Sequence, residues 1–221
     1  KDSKKLFLNL HYLIIDEISE VINTKRGDLL ALITNKILYL NKKIRVISSS
    51  THVENKIYLK KWLSINGKTK VIENKYKKEV DVKVLYSDNI PNYGHSCDYL
   101  TDKIYKILKN QKTIIFVNTR AQAEILFMKL FSKYKDLRLA IHHGSLSKKI
   151  RFKTEESMRN SNINAIISTS SLEMGIDWDV INQIISIGTP KSINKLIQRI
   201  GRSNHKYYSI PKAFIVPTNK L

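Results

Sequence analysis

Two adjacent carboxylates, Asp16 and Glu17, close the apolar run Tyr12–Ile15. Acids at the carboxyl end of a short strand suit a nucleotide-hydrolysing site. One holds a hydrated Mg²⁺, and the other orients or deprotonates the attacking water. An apolar run ending in Asp-Glu also arises by chance, so the rest of the chemistry must come from elsewhere in the chain. Near the other end, LIQRIGRSNH (Leu196–His205) places Arg199 and Arg202 three apart, on one face of a helix or at its end, with Gln198 and Gly201 beside them. Arginines stabilise charge developing on a transferring γ-phosphoryl group. Between these, ISTSSLEMGIDW (Ile167–Trp178) leads from a strand into Thr169, Ser170 and Ser171, then Gly175 and Asp177. Hydroxyls and backbone amides at such a turn suit a nucleic-acid backbone, and a Gly-x-Asp can approach a ribose closely.

The elements that must position these groups follow from periodicity. Strands are expected at Tyr12–Ile15 (buried), Arg45–Ser48 and Lys70–Glu73, with helices at Arg26–Leu40 and Val53–Leu63. After Val80–Tyr86, the turn-forming SDNIPNYG (Ser87–Gly94) marks a boundary. The second half repeats the rhythm, with helices at Asp98–Leu108, Ala121–Tyr134, Ser147–Asn160 and Ile193–Ile200. Its strands are expected at Thr113–Val117, Arg138–Ile141, Ala165–Ser168, Gln183–Ile187 and Ala213–Val216. Continuous Ile/Val/Phe strands between helices predict parallel sheets covered on both faces, in two α/β units spanning residues 1–86 and 98–221 with a linker at 87–97. Ligands bind such sheets where strands end and helices begin. Polar residues stand at every one of these junctions: Asp16–Ser19, Ser49–Thr51, Asn118–Arg120, His142–Ser145 and Ser168–Ser171.

Composition narrows the class. The formal net charge of +20 invites a nucleic-acid partner, although the excess is nearly all Lys, as an AT-rich genome also produces. No apolar run approaches the ~20 residues of a membrane-spanning helix, and the start does not read as a signal peptide. The single Cys97 excludes an internal disulfide and fits a reducing cytoplasm. His142 and His143 point to opposite faces of a strand, and His95 and Cys97 lack partners at ligand spacing, so no metal other than Mg²⁺ is expected. KYKK at 75–78 reads as a solvated loop.

Taken together, the motifs resemble those of superfamily 2 helicases. Asp16-Glu17-Ile18-Ser19 is similar to Walker B, Ser49-Ser50-Thr51 to the Ser-Ala-Thr motif, IIFVNTR to motif IV, STSSLEMGID to motif V and QRIGRSNH to motif VI. Thr24-Lys25-Arg26-Gly27, NTRAQAE and HHGSL (His142–Leu146) resemble the large helicase-related (Lhr) family. IPNYGH and VPTNKL look most like its bacterial, DNA-ligase-associated DExH branch. The resemblance implies two RecA-like parallel-sheet domains in tandem, the first incomplete at its N-terminus, and a cytoplasmic, ATP-dependent DNA-repair translocase moving 3′ to 5′ on single-stranded or partially duplex DNA. ATP would lie between the domains, and a DNA ligase and a nuclease would be partners. It further implies that Asp16 holds Mg²⁺, that Glu17 activates water, and that Arg199 and Arg202 reach the γ-phosphate. Gly175, Asp177 and Gln198 would approach the nucleotide. Thr119, Arg120, Thr169 and Ser170 would grip one strand by its phosphates, helped by Lys25 and Arg26, while Ser19, Ser49 and Thr51 would couple hydrolysis to movement.

Several features depart from the pattern. A Walker A loop would have to precede residue 1, and without one this chain is expected to bind ATP poorly by itself. Gly67-Lys68-Thr69 is not that loop, because Trp62 stands where its first Gly should be and the tripeptide follows the Ser-Ser-Thr stretch. Ser19 replaces the His of DExH, Ser50 an Ala, and Asn204 a Gly at a tight turn where Asn also accepts positive φ. The alternatives are a catalytically silent nucleic-acid-binding remnant, or a helicase acting on RNA or RNA–DNA hybrids.

Overall fold

Period-two alternation in strands such as TIIF decides how the layers form. Ile115 and Val117 face one way, into a core shared with Ile104, Leu108, Leu126 and Leu130. Ile114 and Phe116 face the other way, into a core with Met158, Leu172, Ile184 and Ile200. The computed structural model describes residues 3–51, 53, 55–64, 68–74, 79–87, 90, 92, 98–109, 111–173, 178–190, 192–204 and 209–219. The chain forms two units, residues 1–76 and 77–221.

The first unit runs α1 (Ser3–Phe7), β1 (Tyr12–Ile15), α2 (Lys25–Leu40), β2 (Arg45–Ser48) and α3 (Lys56–Leu63). Strands β1 and β2 pair in parallel, Ile15 opposite Ser48. Thr24 caps α2 by accepting from the Gly27 amide at 3.2 Å. Only glycine fits at 27, because a Cβ there would stand 2.0 Å from the Val21 carbonyl oxygen. Ile15, Ile18, Ile22, Leu59 and Leu63 form the core of this unit. The expectation that Tyr12–Ile15 is buried holds on one face only. On the other, Ile14 is 71% and Ile47 49% exposed, since the helices pack against a single side of the β1–β2 pair. The strand expected at Lys70–Glu73 does not form. The segment joins no ladder among the described residues and instead runs alongside α3, where Glu73 pairs with Lys56 at 2.6 Å.

The second unit comprises β3 (Asp81–Val84), α4 (Thr101–Leu108), β4 (Thr113–Phe116), α5 (Arg120–Lys133), β5 (Leu139–His142), α6 (Lys148–Arg159), β6 (Ala165–Ser168), β7 (Gln183–Ile187), α7 (Ile193–Ile200) and β8 (Lys212–Val216). Its strands lie in the order β3-β8-β7-β4-β6-β5, and all five pairings are parallel. Every residue of β4, β6 and β7 is buried, as expected of strands with helices on both faces. The division between units differs from the expected one at 86/87. Strand β3 belongs to the second sheet, pairing with β8 from Asp81–Lys212 to Val84–Ile215, and Leu85 packs on that core. Alternation alone could not reveal this, because a short edge strand carries no mark of which sheet it joins.

A chain starting at residue 77 should therefore unfold cooperatively, whereas one starting at residue 87 loses β3 and exposes β8. Urea denaturation is expected to show the shorter chain less stable by roughly 1–3 kcal/mol, the worth of one edge ladder and a buried leucine.

Candidate functional site

In the first unit the parallel register brings the acids to the Ser-Ser-Thr stretch. Because Ile15 lies opposite Ser48, the next residues, Asp16 and Ser49, meet side by side. The Ser49 hydroxyl donates to Asp16 Oδ1, and the Thr51 hydroxyl donates to Glu17 Oε2 at 3.3 Å. The Glu17 amide lies 3.1 Å from Asp16 Oδ1 and 3.3 Å from Ser49 Oγ, and the Ile18 amide donates to the Ser49 carbonyl at 3.1 Å. Glu17 itself is left-handed, with φ 50° and ψ 48°. A non-glycine residue held there costs about 1–3 kcal/mol and persists when its surroundings enforce it, most often at working sites. The enforcing contacts here are those of Ser49 and Thr51.

Asp16 is exposed and Glu17 half-buried, both just beyond the end of β1. No cluster of three or more acidic, His or Cys side chains forms a metal cage among the described residues. One or two carboxylates with hard oxygen ligands suit Mg²⁺, which takes its other ligands from water and phosphate, so this donor set fits the ion. The Ser19 hydroxyl is buried and has no hydrogen-bond partner among the described residues. Lys25 and Arg26 are exposed in the first turn of α2.

In the second unit, Asn118, Thr119, Arg120, Gly144, Thr169, Ser170 and Ser171 line one open cavity of about 480 Å³. Residues from separate strand ends meet here because β4, β6 and β5 are adjacent and end together, with Phe116 opposite Ser168 and Ser168 opposite His142. Thr119 caps α5 in a reciprocal capping box, its side chain accepting from the Gln122 amide at 3.2 Å. Gln122 Oε1 accepts in return from the amides of Asn118 and Thr119, both at 3.1 Å. Asn118 donates to the Thr189 carbonyl at 3.0 Å. Gly188, at φ 74°, passes so close that a Cβ would stand 2.9 Å from Asn118 Nδ2. Arg120 lies against Gly144, its Nη2 3.7 Å from where a Cβ would be. Hydroxyls, a helix N-terminus and one guanidinium around an open cavity suit phosphate oxygens.

Behind this lining sits a residue that the sequence marked as part of the His142–Ser145 junction and the HHGSL stretch, without a role of its own. His142 is 2% exposed. Its Nδ1 lies 2.8 Å from Ser171 Oγ and its Nε2 2.9 Å from Glu155 Oε1. Burial lowers its pKa below the ordinary 6.5, against the opposing pull of Glu155.

The motif VI arginines separate. Helix α7 ends at Ile200 with Gly201 as its C-cap, so Arg202 lies beyond the helix and shares no face with Arg199. Arg199 is buried. Its Nε donates to Glu173 Oε1 at 2.8 Å and its Nη1 to Ser186 Oγ at 3.0 Å, and the guanidinium stands 5.2 Å over the Phe116 ring. This corrects the expectation that both arginines present themselves to a phosphate: the internal partners occupy Arg199. Gln198 is likewise buried, at 4% exposure, while Arg202 is half-buried with Nε 3.5 Å from the Gln198 carbonyl. Asn204 adopts φ 46°, the left-handed turn expected of it. Glu173 gave no signal in sequence beyond an acid inside an apolar stretch. Gly175 and Asp177 lie outside the described residues, as do Gly67, the 75–78 run, His95 and Cys97.

The profile of the helicase conserved C-terminal domain matches residues 95–205. The chain is similar to the ATP-dependent helicase Lhr-Core of Methanocaldococcus jannaschii, at 32% identity over 98% of this chain and 26% of the relative. It is similar at 30% identity to Lhr-Core of Saccharolobus solfataricus, over 100% of this chain and 26% of the relative. Among solved structures, the Mycobacterium smegmatis helicase Lhr bound to single-stranded DNA and AMP-PNP superposes with a TM-score of 0.85 at 26% identity, over 99% of this chain and 30% of that one. The chain thus spans 26% of the length of these curated relatives.

Truncating one partner of the buried pair leaves the other charge uncompensated, so Glu173→Ala should cost about 3–5 kcal/mol in urea unfolding. The double variant Glu173→Leu/Arg199→Met should recover most of that loss. His142 gives a pH dependence of defined sign. Its folded pKa is lowered, so its contribution is complete above the ordinary value of 6.5 and is lost as pH falls through the folded value. Thermal unfolding from about pH 7.5 to about pH 5 should show this component, and His142→Asn should remove it.

Proposed function

The chain belongs to the Lhr family of superfamily 2 helicases, and we propose that it forms part of an ATP-dependent DNA translocase acting on single-stranded or partially duplex DNA in repair. The observation that carries this reading is the hydrogen-bonding of the acid pair to Ser49 and Thr51, which ties the hydrolytic carboxylates to a second strand end. In this reading Asp16 holds the Mg²⁺ of the nucleotide. The ion supplies charge neutralisation on the phosphate oxygens. Glu17, fixed by Thr51, orients the attacking water and accepts its proton as ATP and water give ADP and phosphate. Arg202 stabilises the developing phosphoryl charge, and Gly175, Asp177 and Gln198 belong to the nucleotide contacts. Arg199 acts from behind, holding α7 to Glu173 at the end of the turn after β6.

Thr119, Arg120, Thr169 and Ser170 hold one strand through its phosphates, and Lys25 and Arg26 add further phosphate contacts. Ser19, Ser49 and Thr51 transmit the state of the acid site. DNA is favoured as substrate by the single-stranded DNA bound to the M. smegmatis relative. A place beside a DNA ligase and a nuclease rests on IPNYGH and VPTNKL alone. A cytoplasmic location is consistent with there being no helix long and apolar enough to cross a membrane among the described residues.

The test is ATP turnover by the full-length protein with and without single-stranded DNA. Stimulation by the strand is expected. Glu17→Gln should lower kcat by about 10²–10⁴-fold, and Arg202→Ala by at least about 10²-fold, with Arg202→Ala leaving the fold intact. Equal turnover with and without DNA would overturn the translocase reading.

A further inference from the structure

We propose that His142 is a positioning residue for the strand grip: with its ring oriented by Glu155 on α6, its Nδ1 fastens Ser171 and so holds the turn from Thr169 to Leu172 in the shape that directs Thr169 and Ser170 into the cavity. The inference rests on the reading that this cavity holds a strand phosphate.

The geometry carries it. His142 is the last residue of β5, in register with Ser168, the last residue of β6. Immediately afterwards the chain leaves the sheet and enters a 3₁₀ turn, Ser170–Leu172. A turn this short has few backbone bonds of its own. The Glu173 amide donates to the Ser170 carbonyl at 3.1 Å, and the Thr169 amide reaches the His142 carbonyl at 3.4 Å. The remaining fastening converges on Ser171. Its hydroxyl lies 2.8 Å from His142 Nδ1, 3.0 Å from the His142 carbonyl and 3.2 Å from Ser168 Oγ. The same residue lines the cavity beside Thr169, Ser170 and Arg120.

Hydrogen-bond accounting assigns the direction of these contacts. The Glu155 carboxylate can only accept, so Nε2 carries the proton facing it. In the neutral ring Nδ1 is then an acceptor, and the single Ser171 proton lies between two acceptors, Nδ1 and the His142 carbonyl. The charged groups acting on the ring are Glu155 and Arg151, both from α6, whereas Ser168 and Ser171 on the sheet side are neutral. A leucine at 142 would fill the space but would leave both the Glu155 carboxylate and the Ser171 hydroxyl unpartnered by the ring. Burying a polar ring between an acid and a hydroxyl is a costly way to fill a core, and here it serves a turn that reaches the cavity.

Asparagine is the informative replacement, because its amide oxygen takes the place of Nδ1 while the reach to Glu155 is lost. Binding of a fluorescein-labelled oligothymidylate to the full-length protein, followed by anisotropy, is expected to weaken roughly five- to tenfold in His142→Leu and in Ser171→Ala, the loss of one partly buried hydrogen bond. His142→Asn should stay within about twofold of the parent protein. In strand-stimulated ATP turnover the strand concentration for half-maximal rate should rise in step with the binding loss, while kcat at saturating strand is unchanged. A residue that merely maintained the fold would not produce that split. Unchanged binding in Ser171→Ala, or equal losses in His142→Asn and His142→Leu, would overturn the proposal. If His142→Leu does not fold, Ser171→Ala decides the matter, since it deletes a single half-buried oxygen. Arg120→Ala separates the two levels: if it too leaves binding unchanged, the cavity does not hold the strand, and the underlying reading has failed rather than the role of His142.

Discussion

Parallel strand pairing is the constraint on which the rest of this structure depends. In a parallel ladder, residues in register end their strands on the same edge, so whatever follows each strand is delivered to its neighbour's successor. Ile15 opposite Ser48 puts Asp16 beside Ser49. Phe116 opposite Ser168, and Ser168 opposite His142, put Asn118–Arg120, Thr169–Ser171 and Gly144 around one cavity. Shifting any of these strands by one residue would turn the buried set outward and move the polar successors by about 3.3 Å along the edge, beyond hydrogen-bond reach. The buried isoleucines of β4, β6 and β7 therefore do more than supply a core: they fix the register that assembles the site.

Polar residues buried behind that edge carry the second level of order. Glu173 and Arg199 join the stretch after β6 to α7, with Ser186 on β7 and the Phe116 ring on β4 completing the cage. A hydrophobic pair of similar volume could match or exceed its stability. What the ion pair adds is a fixed orientation between the two segments it joins. The Glu155–His142–Ser171 bridge does the same for α6, β5 and the turn after β6.

Much of this was legible in the amino-acid order, for physical reasons that also explain where legibility stopped. Strands such as Ala165–Ser168 and Gln183–Ile187 fall where periodicity predicts, because burial on both faces leaves a continuous apolar signature, and the helix Ile193–Ile200 does so through its helical spacing. The acid pair and the hydroxyl junctions were readable because strand-end chemistry needs those residue types. Burial of Tyr12–Ile15 was not, since four apolar residues do not say whether one face or two will be covered. The sheet to which Asp81–Val84 belongs depends on a partner 131 residues away at Lys212, which no local pattern encodes. Arg199 and Arg202 look equivalent at a spacing of three, and only the helix end at Ile200 separates a buried guanidinium from one beyond the helix. His142 was visible as a residue but not as a bridge, because Glu155 and Ser171 come from elements on either side of it.

The charge of the chain and the chemistry of the cavity point to different tasks. Lysines on exposed faces raise the long-range attraction for any polyanion, an effect that salt screens within about 10 Å. The cavity is lined by hydroxyls, an amide side chain and a glycine, with Arg120 as the charged residue among its described lining. Neutral donors discriminate by distance and angle, and they lose most of their worth when misplaced by a fraction of an ångström. As a proposed strand-phosphate site, a cavity built this way would hold a phosphate at a defined spot without reading the base attached to it, and small movements of the turn that carries Thr169 and Ser170 would tighten or loosen it. Under the proposed function, a motor holding and releasing successive phosphates would need that property more than raw charge, and the hydrogen bonds behind the turn would then matter as much as the groups lining the cavity.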